Sequence, residues 1–174
     1  KGEVVDRIEK QATRYSPKIG QRITEYFDEH WNRCEAKDAS FYRLITYSAP
    51  HIPQGVVKDY YITGELQSEQ HPVYIDYDDD ACSFLEGEQL FYYKNGRLER
   101  KQQYYNNRLN GPCISYYEDG NIASEMCFSG GYPHGDAIEY YSNGKIATVR
   151  KYNDGLLHNN KYLLITEKDM PYLV

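Results

Sequence analysis

The chain has 174 residues and a formal net charge of −6, a size that fits one ordinary domain. An acidic chain without a basic cluster argues against a nucleic-acid or anionic-membrane binder, and no apolar run approaches the roughly 20 residues that span a bilayer. Tyrosine dominates the apolar inventory, with 20 Tyr against 5 Phe and 1 Trp, at a mean hydropathy of −0.81. A tyrosine ring buries like an apolar group and keeps a polar tip, so the composition suits a thin structure whose side chains stay near water.

Residues 1–20 read as an N-terminal extension. Val5, Ile8 and Ala12 follow helical spacing there, so Glu3 to Tyr15 is expected to be a short helical or irregular cap. The chain opens at Lys1 rather than Met, which reads as a processed or trimmed product. Residues 21–54 form a degenerate leading segment, in which Glu25 to His30 looks like a decayed repeat and Phe41 to Tyr47 is strand-like.

Self-comparison then gives a repeat of 24 residues over 55–166. Gly87-Glu88-Gln89-Leu90-Phe91-Tyr92-Tyr93-Lys94-Asn95-Gly96-Arg97-Leu98 opens one copy, and Gly111 and Gly135 open the next two. Gly55-Val56-Val57-Lys58-Asp59-Tyr60-Tyr61-Ile62-Thr63-Gly64-Glu65-Leu66 is an earlier copy, 32 residues before Gly87. The extra residues are assigned to the acidic stretch from Asp76 to Glu86. Lys161 to Thr166 reads as one more strand, and 167–174 as a C-terminal tail.

Each copy has the chemistry of a β-hairpin, with alternating apolar and polar residues around Asn-Gly or Asp-Gly. Turns are expected at Thr63-Gly64, Asn95-Gly96, Asp119-Gly120 and Asn143-Gly144. Counting from the leading glycine, the fourth, sixth, twelfth and eighteenth positions are apolar in all three regular copies, as in Leu90, Tyr92, Leu98 and Tyr104. A three-residue loop, Lys94-Asn95-Gly96, pairs Tyr92 with Leu98 and places all four on one face. That loop is a type I turn closed by a glycine bulge. The fold expected is therefore mainly β: a single-layer antiparallel meander of hairpin repeats. The Leu/Ile face is expected to be covered first, leaving the seventh-position face open.

These residues resemble the MORN repeat family, and more closely its bacterial variant, which reads roughly G-x-x-x-x-Y-Y-x-N-G-x-[LI]. The resemblance covers Gly55 to His158. It implies a non-enzymatic, repeat-based module, antitoxin-like as many bacterial members are labelled, and an exported or cell-envelope protein. The chain departs from the eukaryotic Tyr-x-Gly-x-Trp pattern, since Trp31 lies outside the regular copies, so lipid binding does not carry over.

No catalytic, cofactor or metal set emerges. Cys34, Cys82, Cys113 and Cys127 form no C-x-x-C pair and read as free thiols. His134 and His158 share a repeat position and read as loop residues. Asp76, Asp78 and Asp80 alternate like a calcium loop, but Ala81 replaces its glycine, so a solvated acidic loop is expected. The sixth-position rings read as structural. The seventh-position row of Tyr61, Tyr93, Tyr117 and Tyr141 is the expected site for a protein partner. The alternative is a carbohydrate surface, for which spaced rings are suited but Trp is missing from the regular copies. Sheet edges offer a route to oligomers.

Overall fold

The computed structural model describes residues 15–157 and the backbone of Leu163 and Leu164. The expected cap over Glu3 to Tyr15, all but Tyr15, lies outside these residues, as do His158 and the C-terminal tail. Among the described residues fifteen strands follow in chain order: β1 (Arg22–Phe27), β2 (Phe41–Ala49), β3 (Ile52–Pro53), β4 (Val57–Tyr61), β5 (Leu66–Gln70), β6 (Pro72–Tyr74), β7 (Phe84–Leu85), β8 (Gly87–Tyr92), β9 (Leu98–Tyr105), β10 (Arg108–Tyr116), β11 (Ile122–Ser129), β12 (Tyr132–Tyr140), β13 (Ile146–Asn153), β14 (Leu156–Leu157) and β15 (Leu163–Leu164). One 13-stranded sheet runs β1-β2-β4-β5-β8-β9-β10-β11-β12-β13-β14, with β3 on β2 and β15 on β13; β6 and β7 pair apart from it. Every pairing between named strands is antiparallel, so the main sheet is the expected meander. No helix among the described residues is long and apolar enough to cross a membrane.

The turns follow from their residues. Tyr92 pairs with Leu98, the Tyr93 amide donates to the Arg97 carbonyl at 2.9 Å, and the Gly96 amide to the Tyr93 carbonyl at 2.9 Å. Gly96 takes φ +81, a region open to glycine at no steric cost. The same hydrogen bonds recur around Gly64, Gly120 and Gly144. Consecutive copies are joined by two-residue turns with both central residues left-handed: Asn106-Asn107, Gly130-Gly131 and Asp154-Gly155.

A second irregularity corrects the expected faces. Tyr92 pairs with Leu98, but Phe91 pairs with Arg100, so Glu99 is an extra residue in β9. Ala123 and Ala147 are extra at the same position in the next two copies. A bulge advances the side-chain phase by one residue. The eighteenth-position Tyr104, Phe128 and Tyr152 therefore share a face with the third, fifth and seventh positions, opposite Leu90, Tyr92 and Leu98.

That face, termed inner here, is also the better shielded one. Buried inner residues include Val57, Asp59, Ser68, Gln89, Gln102, Ala137 and Thr148, whereas Leu90 and Ile114 on the outer face remain partly open. The expectation that the Leu/Ile face is covered first is thus reversed at the N-terminal end. There, residues 71–86 fold back over the inner face, and Ile75 and Tyr77 form a core with Ile45, Tyr47 and Val57. The insertion anticipated around Asp76 to Glu86 is this covering segment.

Candidate functional site: an aromatic-railed inner face

Register places two rows of rings at opposite ends of the strands on the inner face. One row is Tyr61, Tyr93, Tyr117 and Tyr141. Phe41 continues it, pairing with Tyr61 with ring centroids 5.7 Å apart, and Trp31 stacks on Phe41 at 4.6 Å. The other row is Tyr104, Phe128 and Tyr152. Smaller or polar side chains lie between the rows, including Cys113, Ser115, Ser124, Ala137 and Thr148. The Ser115 and Ser124 hydroxyls are hydrogen-bonded at 2.6 Å.

The seventh-position tyrosines are half-buried, except Tyr141, whose ring is 42% exposed. Their hydroxyls have a job that the sequence does not announce. Tyr61 donates to the Tyr92 carbonyl at 2.9 Å, Tyr93 to the Tyr116 carbonyl at 2.6 Å and Tyr117 to the Tyr140 carbonyl at 2.5 Å. In each case the acceptor lies one residue beyond the last registered pair between copies, as in Ser68 with Phe91, Arg100 with Ser115, and Ser124 with Glu139. The bulge ends the ladder there, and a carbonyl left without a partner near the interior is costly. The phenol supplies the missing donor. Burial first, then the carboxylates of Glu99 and Glu118, raise the pKa of Tyr61 and of Tyr93 above the usual value for tyrosine.

The outer-face tyrosines bond differently. Tyr92 donates to Glu69 at 2.9 Å and Tyr140 to Glu125 at 2.8 Å. Burial and the Glu69 bond push Tyr92 up to about 12.

At the N-terminal end the inner face is charged. Arg43, 2% exposed, is bidentate to Asp59 at 2.6 and 3.1 Å and to Asp80 of the covering segment at 2.7 and 3.1 Å. Burial alone would lower the guanidinium's affinity for its proton, but the two carboxylates reverse that and raise it well above normal. Ser68 and Gln70 also donate to Asp59, at 3.0 and 3.1 Å. Asp80 is therefore not the solvated loop residue expected. Asp76 and Asp79 instead cap their own turn, accepting from the amides of Asp78 and Ala81. Gln89 closes the base of the segment: its carbonyl accepts from the His71 amide at 3.0 Å and its amide donates to the Glu86 carbonyl at 2.9 Å.

Beside the covering segment lies a cleft of 480 Å³, bordered by Trp31, Arg43, Asp80, Leu85, Phe91 and Arg100 among others. Trp31 sits at φ +63 in a turn whose hydrogen bonds, Asp28 amide to Asn32 carbonyl and Trp31 amide to Asp28 carbonyl, match those around Gly96. The decayed copy at Glu25 to His30 thus keeps the repeat turn, with tryptophan in the glycine place. His134 is a strand residue of β12 and not a loop residue; its ring lies 3.2 Å from Asp154. The four cysteines are free thiols, two of them exposed. Among the described residues no group of three or more His, Cys, Asp or Glu is placed to hold a metal ion.

Comparison with curated proteins returns no match. Comparison with protein families matches residues 85–107, 109–129 and 133–154 to the MORN repeat variant. The copy that opens at Gly55 lies before the matched ranges, although Tyr60 pairs with Leu66 and Asp59 with Ser68 in the register of the later copies. The three matched ranges follow one another from just before β8 to the turn after β13, and over this stretch the chain is similar to the MORN repeat variant.

Proposed function

We propose that the chain is a non-enzymatic protein-interaction module and that its partner lies along the inner face over β8–β13. One observation carries this reading. The chain's own segment 71–86 occupies the inner face over the N-terminal strands and buries Ile75 and Tyr77 there. Over β8–β13 the same face, with its rows of rings, has no covering element among the described residues. Tyr61, Tyr93, Tyr117 and Tyr141 serve as one rail of the site through their ring faces, while three of the four hydroxyls hold the repeats together. Tyrosine suits such a surface because it supplies large contact area with few rotatable bonds. Neutralising a toxin-like partner, or acting at a bacterial cell surface, would each be an instance of this binding.

The test is a pair of photocrosslinking phenylalanine analogues, one at Tyr141 on the inner face and one at Ile122, 36% exposed on the outer face. In cell extract, cross-links to a discrete protein are expected from position 141 and not from 122. Cross-links from 122 alone would overturn the assignment.

A second reading, carbohydrate binding, is favoured by Trp31, which lines a second cleft with Asn32, Asp78 and Asp79. A tryptophan beside carboxylate and amide groups is the feature missing from the regular copies. Clear glycan-array hits lost in Trp31→Ala, with no inner-face cross-links, would put this reading first.

A further inference from the structure

Register makes Arg100 the repeat equivalent of Arg43. Arg43 pairs with Glu25 in its own hairpin and with Asp59 in the next; Arg100 pairs with Phe91 in its own hairpin and with Ser115 in the next. Both arginines stand on the inner face and both line the 480 Å³ cleft. Their surroundings differ in one respect. Arg43 has an in-sheet carboxylate, Asp59, and a second one, Asp80, delivered by a segment lying over the sheet. Arg100 has Phe91 and Ser115 at the two neighbouring places. Its guanidinium lies 4.4 Å from the Phe91 ring centroid and is exposed, with no carboxylate bonded to it among the described residues.

The covering segment shows what this face accepts. A short stretch of chain lays an aliphatic residue (Ile75) and an aromatic one (Tyr77) on the sheet and places a carboxylate on the arginine. The cleft beside Arg100 offers matching groups, with Phe91, Leu85 and Trp31 as apolar walls and one cation without a carboxylate. A planar guanidinium held over a ring is pre-organised for bidentate binding of a carboxylate. We infer that this cleft receives an acidic side chain from a protein partner, its carboxylate on Arg100 and an adjoining apolar side chain against Phe91 and Leu85. The inference rests on the interaction reading above and specifies the partner's chemistry. The chain's net charge of −6 gives no general attraction for an acidic segment, so the contact is local and not steered from a distance.

The probe is a blocked synthetic peptide with the sequence of Val73 to Asp80, compared with the same peptide carrying Asn for each Asp. Each is titrated into the full chain and followed by NMR at the Arg100 Nε–H and the amides of Leu85 and Phe91. The acidic peptide should shift these signals. Affinity should fall by about tenfold or more for the neutral peptide and for Arg100→Gln, the loss expected for a charged hydrogen bond. Arg150→Gln, at an arginine already paired with Glu139 at 2.8 Å, should leave affinity unchanged. No binding, equal binding of both peptides, or binding indifferent to Arg100→Gln overturns the proposal. So do shifts confined to Val57 and Asp59, which mean strand exchange with the chain's own segment, and so do equal shifts with acetate alone. If cross-linking from position 141 persists in Arg100→Gln, the interaction reading survives while the acidic-ligand assignment fails.

Discussion

Replacing Tyr93 with Phe removes one oxygen and keeps the ring, so it isolates the hydroxyl bond to the Tyr116 carbonyl. That carbonyl sits beyond the last registered pair of β9 and β10, and losing a donor there leaves a partly shielded acceptor. The expected cost is about 1 kcal/mol, or roughly 2–4 °C in melting temperature for a chain of this length. Tyr61→Phe and Tyr117→Phe should cost the same, because each hydroxyl bonds the corresponding carbonyl of the following copy. The three sites lie in different hairpins and share no partner, so the triple variant should lose about 3 kcal/mol. Tyr141→Phe is the internal control and should melt within about 1 °C of the parent. Tyr93→Ser also forfeits part of the ring's buried area, about a further 2 kcal/mol at about 25 cal/mol/Å². Circular dichroism melts of the six variants decide it. A triple Phe variant that melts with the parent would refute the idea that these hydroxyls replace the ladder at each bulge.

Arg43→Met should cost about 3–5 kcal/mol, because it strands a buried Asp59 with only Ser68 and Gln70 as donors. Combining it with Asp59→Leu should recover much of that loss in urea unfolding, and a single variant costing under about 1 kcal/mol would contradict the burial argument. Gly96→Val should destabilise by more than about 1 kcal/mol through backbone strain alone, since φ is +81 and nothing lies within 4 Å of an added Cβ; an unchanged melt would sink the turn assignment. High pH should unfold the chain through its tyrosines. Tyr92 is raised from 10.0 to about 12, and Tyr61, Tyr93, Tyr104 and Tyr140 are raised as well. The folded form therefore holds protons that the unfolded chain has released. Their contribution is complete below about pH 10 and is lost as pH rises toward about 12. Melting temperature should fall over that window while tyrosinate absorbance rises with unfolding, and a flat melting temperature from about pH 9 to about pH 11.5 is the contrary result.

The hairpins of the repeat and the turns at Gly64, Gly96, Gly120 and Gly144 are legible, because Asn-Gly and Asp-Gly recur in phase with alternating apolar residues. The second bulge is not. Its residue is Glu99, Ala123 or Ala147, with no shared chemistry to mark it, and alternation alone puts the eighteenth position on the opposite face from the one it occupies. The insertion around Asp76 to Glu86 was visible as an interruption of the repeat. Its docking was not, because it rests on Arg43 and Asp80, which are 37 residues apart and unmarked by any local pattern. The seventh-position row was visible as a row. The bonds of its hydroxyls follow only once the bulge is known, since without it every carbonyl in the ladder would already have a partner. In the sequence Trp31 lies outside the regular copies, and the turn that carries it returns it to the end of the aromatic row.

The covering segment is fixed by polar contacts at several points, among them His51 on Ile75 and Tyr77, Arg33 on Tyr77, Arg43 on Asp80 and Gln89 on His71 and Glu86, and the last two lie where polar groups are most deeply buried. Ile75 and Tyr77 supply the apolar contact, and hydrogen bonds to His51 and Arg33 hold them in place: the Ile75 amide donates to the His51 carbonyl at 2.8 Å, the His51 amide to the Tyr77 hydroxyl at 2.6 Å and Arg33 to the Tyr77 carbonyl at 3.1 Å. Burying Arg43 between Asp59 and Asp80 adds little net stability, because desolvation offsets most of the attraction. It strongly penalises any placement that leaves one of the three charges without a partner. Gln89 does the same at the base, where a displaced segment would leave a fully buried amide with neither His71 nor Glu86 to bond. The segment can therefore dock in one register only. That register ends its cover at β8, beside Phe91 and Arg100, and so sets where the open part of the inner face begins. In a sheet whose copies are otherwise near-equivalent, this interruption gives the row of rings a defined first position.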